Sequence, residues 1–291
     1  MDLLFLIQNS LLAFTVLAGV VGLLVGSFLN VVVYRTPVML LRRWRAECEE
    51  LNEGDAPAAT PTETLNLVTP RSRCPHCGHA ISALENIPVL SWLWLRGKCS
   101  ACRQAISVRY PLVEALTAGL TALTAWHFGY GMAGAAAIVL VWGLIALSFI
   151  DIDHYLLPDA MVLPLLWAGL LLNLFGVFTN LSSAVIGAVA GYLSLWLVYQ
   201  LFKLVTGKEG MGYGDFKLLA MFGAWLGWQS LLLIILLSSL AGAIVGLALI
   251  VFQGRDRAQP LPFGPYLAVA GWVALLWGND LMSHYLRFVR P

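Results

Sequence analysis

Charge is scarce in this sequence. Asp, Glu, Lys and Arg make up 11% of its 291 residues against 59% hydrophobic residues, and mean hydropathy is +0.80. Soluble domains carry about 25% charged residues, so that class is excluded. No Lys or Arg precedes Arg35. A cleaved secretory signal needs a basic n-region and a shorter apolar stretch, so the first apolar run reads as a retained span. Repeats of solenoid period are missing. So is a GxGxxG segment following a strand, which leaves no visible Rossmann-type cofactor site.

What remains is mostly membrane span. Runs of about 17 to 25 apolar residues cross the hydrocarbon core as helices, and about eight are legible: Leu11 to Tyr34, Pro111 to Phe128, Ala133 to Ile150, Leu157 to Phe178, Ala184 to Leu204, Phe216 to Trp228, Leu231 to Phe252 and Phe263 to Trp277. The expected fold is an all-α polytopic membrane protein with three parts: a first transmembrane helix (1–34), a cytoplasmic loop (35–110) and a transmembrane bundle (111–291). The sixth run is short for a full crossing. Ten of the 17 Lys and Arg fall between Arg35 and Arg109. The positive-inside rule makes that loop cytoplasmic and the N-terminus external. Eight crossings then place 151–156, 203–214 and 253–262, with Arg255 and Arg257, in cytoplasmic connections. Arg287 and Arg290 fall outside on this threading, which conflicts mildly with the rule; a re-entrant sixth segment would return the C-terminus to the cytoplasm.

The loop divides in two. Glu47 to Asn66 is acidic and rich in Ala, Pro and Thr, and reads as a solvated linker or a short surface helix followed by disorder. Beyond it lie two CxxC steps, Cys74/Cys77 and Cys99/Cys102, 21 residues apart. Paired steps of this kind turn four thiolates toward one point, the preferred set of a structural zinc ion. A reducing cytoplasm disfavours the disulfide alternative. A closed four-cysteine site leaves no coordination position for substrate, so the metal is expected to serve folding. Cys48 is expected as a free thiol, and His76 and His79 as turn histidines.

Two aspartates at the edges of apolar segments draw attention: Asp151 in Phe-Ile-Asp-Ile-Asp-His-Tyr-Leu-Leu-Pro-Asp, and Asp215 in Gly212-Tyr-Gly214-Asp215. An ionised side chain costs roughly 2.5 to 3.5 kcal/mol at the centre of an inserted helix, so such acids commonly face a polar cavity and serve a function. The glycines beside Asp215 leave room for a second backbone. Two carboxylates held close share a proton, which lets one activate water while the other donates to a carbonyl. On spacing alone the plainer alternative stands beside this one: Asp151, Asp153 and Asp159 mark a polar cytoplasmic turn, and Pro158 starts the next helix.

Gly26-Ser-Phe-Leu-Asn-Val-Val-Val-Tyr-Arg35, the two cysteine steps flanking Glu85-Asn-Ile-Pro-Val-Leu-Ser-Trp92, the run from Ile106 to Glu114, Phe263-Gly-Pro and the GxGD segment at Asp215 together resemble the type IV prepilin peptidases. These are bifunctional leader peptidases and N-methyltransferases of the GxGD membrane aspartyl protease type. The resemblance implies Asp215 and Asp151 as the catalytic acids, with Asp153 as runner-up. It implies cleavage of type IV prepilins and type II secretion pseudopilins after a Gly and before a Phe, at the cytoplasmic side of the bacterial inner membrane. Methylation of the new amine by S-adenosylmethionine then follows. The partners implied are the prepilins and the bilayer, with no nucleic acid. Residues that hold the methyl donor are not legible. Glu85 and Glu114 are each balanced between a functional role and a plain surface or interfacial one. Asn30 and Arg35 read equally as a helix-helix hydrogen bond and a positive-inside anchor.

Two other classes stay open. A transporter would also place acids beside broken helices, but nearer mid-membrane and with pseudo-symmetric interrupted helices, which this sequence does not display. A zinc-stabilised scaffold of a secretion machine needs no aspartate pair.

Overall fold

The computed structural model describes residues 3–52, 65–254 and 261–289. Most of the linker expected after Glu47, together with Arg255, Arg257 and Arg290, lies outside them. Among the described residues every named element is helical: α1 (Leu3–Asn9), α2 (Leu11–Asn52), α3 (Leu90–Trp94), α4 (Arg109–Phe128), α5 (Met132–His154), α6 (Asp159–Asn173), α7 (Leu181–Thr206), α8 (Tyr213–Leu226), a 3-10 turn (Trp228–Ser230), α9 (Leu231–Gln253) and α10 (Gly264–Val289). The chain forms two compact units, Met1–Tyr130 and Gly131–Pro291.

In the first unit α2 does not stop where the apolar run ends. It continues through Pro37 and the arginines to 42 residues, about 63 Å at 1.5 Å per residue and twice the hydrocarbon thickness. Arg and Glu are good helix formers, so loss of hydrophobicity alone does not end a helix. Small residues let α2 and α4 meet closely. A Cβ on Gly22 would stand 2.9 Å from Ala118 Cα, and one on Gly26 would stand 2.7 Å from Glu114 Cα. This four-residue spacing of small side chains brings membrane helices into backbone contact. Asn30 Nδ2 donates to the Tyr110 carbonyl at 3.2 Å, a tie to the first turn of α4.

The second unit is organised around α8. This helix has only 14 residues, about 21 Å, too short to cross a membrane unaided. Phe216 and the run from Leu218 to Trp225 are buried, so α8 is a core helix enclosed by its neighbours. Against α7 the approach is extreme: a Cβ on Gly223 would stand 2.1 Å from the Gly187 carbonyl oxygen. At its C-terminal end Asn173 of α6 donates to the carbonyls of Ala224 and Trp225 at 2.8 and 2.9 Å and accepts from the amides of Phe178 and Thr179. Carbonyls that a helix end leaves unpaired are thereby satisfied inside the bundle. Trp225 Nε1 returns a bond to the Leu165 carbonyl at 2.7 Å.

Four helical segments are long and apolar enough to cross a membrane: Leu11–Leu51, Met132–His154, Leu181–Thr206 and Trp228–Phe252. They correspond to the first, third, fifth and seventh expected spans. The other four expected spans fall on α4, α6, α8 and α10. Of these, α6 and α8 are short, at 15 and 14 residues. α4 buries Thr117, Thr121 and Thr124, and α10 carries Asp280, His284 and Arg287.

Substituting Gly223 with Val should lower the stability of the detergent-solubilised protein by about 1–3 kcal/mol or more, because the contact with α7 has no slack. Gly119→Ala, where a Cβ meets nothing within 4 Å, should leave it unchanged or raise it. Equal melting temperatures for wild type and the Gly223 variant would contradict the close packing.

Candidate active site and metal centre

The acidic site forms where three chain segments of the second unit converge. Asp151 lies in the last turn of α5 and is 5% exposed. Tyr155 then takes a left-handed conformation, φ 53° and ψ 41°, ending the helix and directing Leu156 to Pro158 toward α6. Asp215 is 8% exposed in the first turn of α8. The third segment is the start of α10: the Gly264 amide donates to Asp151 Oδ2 at 2.9 Å. An amide at a helix N-terminus suits a carboxylate, both as donor and as the positive end of the helix dipole.

Leu157 locks these segments together. A Cβ on Gly214 would lie 2.9 Å from Leu157 Cβ, and a Cβ on Gly264 would lie 3.2 Å from Leu157 Cδ2 and 2.7 Å from Asp151 Oδ2. The absence of a side chain at 264 is therefore what lets the amide reach the carboxylate. Through Leu157 the segments that carry the two aspartates are packed together, and Asp151 and Asp215 interact electrostatically. Asp153 differs: its side chain is exposed. Aromatic rings brace the GxGD segment on both sides. Tyr213 and Phe216 have centroids 5.3 Å apart and both pack on Tyr199 of α7, at 5.5 and 5.7 Å. Lys217 Nζ reaches both oxygens of Asp159 at 2.7 Å, tying the start of α8 to the start of α6. Sequence reasoning noted Phe263-Gly-Pro without a role; its Gly264 is a direct partner of the site.

The cysteines form a separate centre in the first unit. The sulfurs of Cys74, Cys77, Cys99 and Cys102 all lie within 4.8 Å of one another, with Cys74 to Cys102 at 3.9 Å and Cys77 to Cys99 at 4.0 Å. A tetrahedron of zinc-sulfur bonds of about 2.3 Å has edges of about 3.8 Å, so the set fits that ion. The two steps repeat one turn: Gly78 N donates to Cys74 O, Arg103 N to Cys99 O, and isolated bridges pair Arg73 with Ala80 and Lys98 with Ala105. Amides of Cys77 and His76 point at the Cys74 sulfur and pull its pKa down to about 7; those of Cys102 and Ala101 lower that of Cys99. Cys77 moves the other way: its backbone bond from His79 is outweighed by burial and the neighbouring thiols, which push it up to about 11, so it is the sulfur geometry that carries the metal reading.

Glu85 was balanced on sequence between a surface acid and a functional one, and the structure makes it a cross-link. Its carboxylate accepts from the Ser100 hydroxyl in the second cysteine step, from the Ser82 amide at 2.8 Å, and meets His79 Nε2, just after the first step, at 3.3 Å. The Ser100 bond, then those from Ser82, hold its pKa down to about 2. A carboxyl with a depressed folded pKa contributes stability above the unfolded value of about 4.3 and loses it as pH falls toward the folded value. Glu85→Gln should therefore speed amide exchange throughout the knob by a factor that does not change across neutral pH. An exchange pattern identical to wild type would remove the cross-link.

Two family models match the chain: the Bacterial Peptidase A24 N-terminal domain over residues 20–128, which contains the cysteine centre, and the Type IV leader peptidase family over 138–247, which contains both buried aspartates. Among curated relatives, the prepilin leader peptidase/N-methyltransferase of Stutzerimonas stutzeri is 58% identical over 286 residues, 98% of each chain. That of Pseudomonas aeruginosa is 57% identical over 288 residues, 99% of each. That of Dichelobacter nodosus is 52% identical over 265 residues, 90% of this chain and 91% of the relative. No solved structure matches it significantly. With relatives this similar along nearly its whole length, the chain belongs to the type IV leader peptidase family.

Proposed function

We propose that this chain cleaves the leader from type IV prepilins and type II secretion pseudopilins, between Gly and Phe, and then methylates the new N-terminal amine. The work is done at the cytoplasmic face of the bacterial inner membrane. In this reading α4, α6, α8 and α10 complete about eight crossings, and the division into 1–34, 35–110 and 111–291 separates an anchor, a zinc-bearing loop and a protease bundle. The observation that carries it is a pair of buried carboxylates from different helices: Asp151, held by the Gly264 amide, and Asp215, whose neighbour Gly214 packs on the same Leu157 that meets Gly264.

The chemistry follows from sharing one proton. Two nearby carboxyls ionise in separate steps, so across a wide pH range one is charged and one protonated. The charged partner takes a proton from water as its oxygen attacks the scissile carbonyl. The protonated partner donates to that carbonyl oxygen. Collapse of the tetrahedral species breaks the C–N bond, with the proton passing to the departing amine. The Gly264 N–H stabilises negative charge on Asp151 and fixes its orientation, which favours Asp151 over the exposed Asp153. An extended substrate chain would enter over Gly212, where an added Cβ would meet nothing nearer than 4.0 Å; the Gly214 side is filled by Leu157. Both acids lie at helix termini, in the last turn of α5 and the first of α8, a position that supports a surface-accessible protease over a mid-membrane ion site.

Zinc, held by Cys74, Cys77, Cys99 and Cys102, would supply folding energy to a knob with few buried apolar residues, roughly 10 to 16 kcal/mol in isolated fingers. The sulfonium of S-adenosylmethionine, when bound, supplies the methyl group. Methyl transfer needs a neutral amine held in line with that methyl, so orientation dominates it. The zinc-bearing unit is the part of the chain this reading assigns to it.

Asp151→Asn and Asp215→Asn should each lower leader cleavage by about 10³-fold or more while the proteins still insert; Asp153→Asn should not. Near-normal cleavage by either of the first two would take that residue out of the mechanism. Metal analysis of purified protein should find about one zinc, lost when any two of the four cysteines become Ser; disulfides among them in intact cells would contradict it. Supplied with a pre-cleaved pilin, the Asp215→Asn protein should still methylate. Failure to do so despite normal pilin binding would place both reactions in one site.

A further inference from the structure

The loop between α2 and α4 is tied to its helices at a level inside the first apolar run. α2 and α4 pack antiparallel, with Gly26 against Glu114 and Asn30 bonded to the Tyr110 carbonyl. Both α2 positions precede Tyr34, where the apolar run ends, and Gly26 lies about 13 Å along the helix before Arg35. Glu114 Oε2 accepts the Val89 amide at 2.7 Å. A helical side chain leans toward the N-terminus of its helix, which recovers only part of that depth, so Val89 sits beside the apolar run and not beyond its end. Its backbone is left-handed, φ 60° and ψ −49°, an unfavourable conformation for a β-branched residue. The Glu114 carboxylate holds the chain there against that local cost. α3 begins at the next residue.

At that level α3 turns an apolar face outward. Leu90, Leu93 and Trp94, spaced to share one side of a helix, are all exposed, Trp94 by 83%. Trp92 differs: its Nε1 donates to the Ile106 carbonyl at 3.2 Å, and its ring lies 2.8 Å from where a Cβ on Gly97 would stand. One tryptophan is part of the knob and the other is presented outward. The backbone around them is satisfied locally, since the amides of Ser91, Leu93, Leu95, Gly97 and Lys98 donate to carbonyls a few residues before them, which suits a segment at the edge of the hydrocarbon. Charge distinguishes the surface it meets. Arg96 and Lys98 follow α3 and are exposed, and residues 66–110 hold six basic residues against one acid, Glu85. That excess opposes a second copy of the same face and complements anionic headgroups, where each Lys or Arg strengthens binding about fivefold. We propose that α3 is an interfacial anchor that seats the cysteine knob on an anionic lipid leaflet. Leu90, Leu93 and Trp94 enter the boundary between headgroups and acyl chains, which such elements reach to a depth of roughly 5–10 Å and where Trp is enriched. Arg96 and Lys98 stay among the phosphates.

The test uses the full-length protein labelled with fluorotryptophan in nanodiscs, with the fluorine resonances of positions 92 and 94 assigned from Trp92→Phe and Trp94→Phe proteins. In discs of phosphatidylglycerol the Trp94 resonance should be broadened by a lipid spin-labelled near the top of its acyl chain and spared by a water-soluble gadolinium chelate. Replacing Leu90 and Leu93 together with Ser should reverse that pattern. Replacing Arg96 and Lys98 together with Gln should raise the chelate-exposed fraction of Trp94 about fivefold or more. An unchanged Trp92 resonance in both variants shows that the knob is still folded. Broadening of the wild-type Trp94 resonance by the chelate and not by the lipid label would overturn the proposal. Protection from both reagents would overturn it too, because protein and not lipid would then cover the face. Equal chelate exposure in discs of phosphatidylcholine and of phosphatidylglycerol would remove the role given to anionic headgroups.

Discussion

A carboxylate buried in a helical bundle and held by a single backbone amide is the constraint to which the second unit answers. Asp151 sits at the end of α5 with the Gly264 N–H on one oxygen. A low-dielectric site of this kind tolerates a charge only where donors and dipoles are aimed at it. The start of α10 supplies both. Everything nearby is arranged to permit the contact. Position 264 carries no Cβ, Leu157 fills the space between the glycines at 214 and 264, and the left-handed Tyr155 turns the chain so that Leu157 arrives there.

The partner acid depends on a second constraint, the enclosure of a 14-residue helix among its neighbours. α8 is held by glycine contacts with α7, by Asn173 capping its carbonyls and by Trp225 bonded into α6. Its first turn is braced by the tyrosines at 199 and 213 and by the Lys217 pair with Asp159. The catalytic role proposed for Asp215 needs a carboxyl whose direction is fixed to within a fraction of an ångström. The contacts along α8 hold its first turn in that way.

Much of this was legible in the residues, and the reasons differ. The cysteine centre was readable because a CxxC step is a local signal: four residues make a knuckle wherever they occur. Asp151 and Asp215 stood out because acids are rare beside apolar runs. Gly264 could be quoted but not explained, since its role is a contact with a residue far away in the chain. Glu85 was left balanced between two roles and Asn173 went unremarked, because bonds that define them reach the distant Ser100 and Ala224. The length of α2 was underestimated because hydropathy ends with the membrane while helix propensity does not. Hydropathy also cannot separate a spanning helix from a buried core helix, which is why α8 reads as a span and packs as a core.

The central claim is that one chain performs hydrolysis and then methyl transfer on one class of substrate. Incubating the purified wild-type protein with a prepilin and S-adenosylmethionine, and measuring the mass of the product's N-terminal peptide, tests it most directly. The expected product begins at the residue after the cleaved Gly and carries one added methyl group on its amine. A prepilin returned at its original mass, under conditions where the protein is folded, would contradict the account.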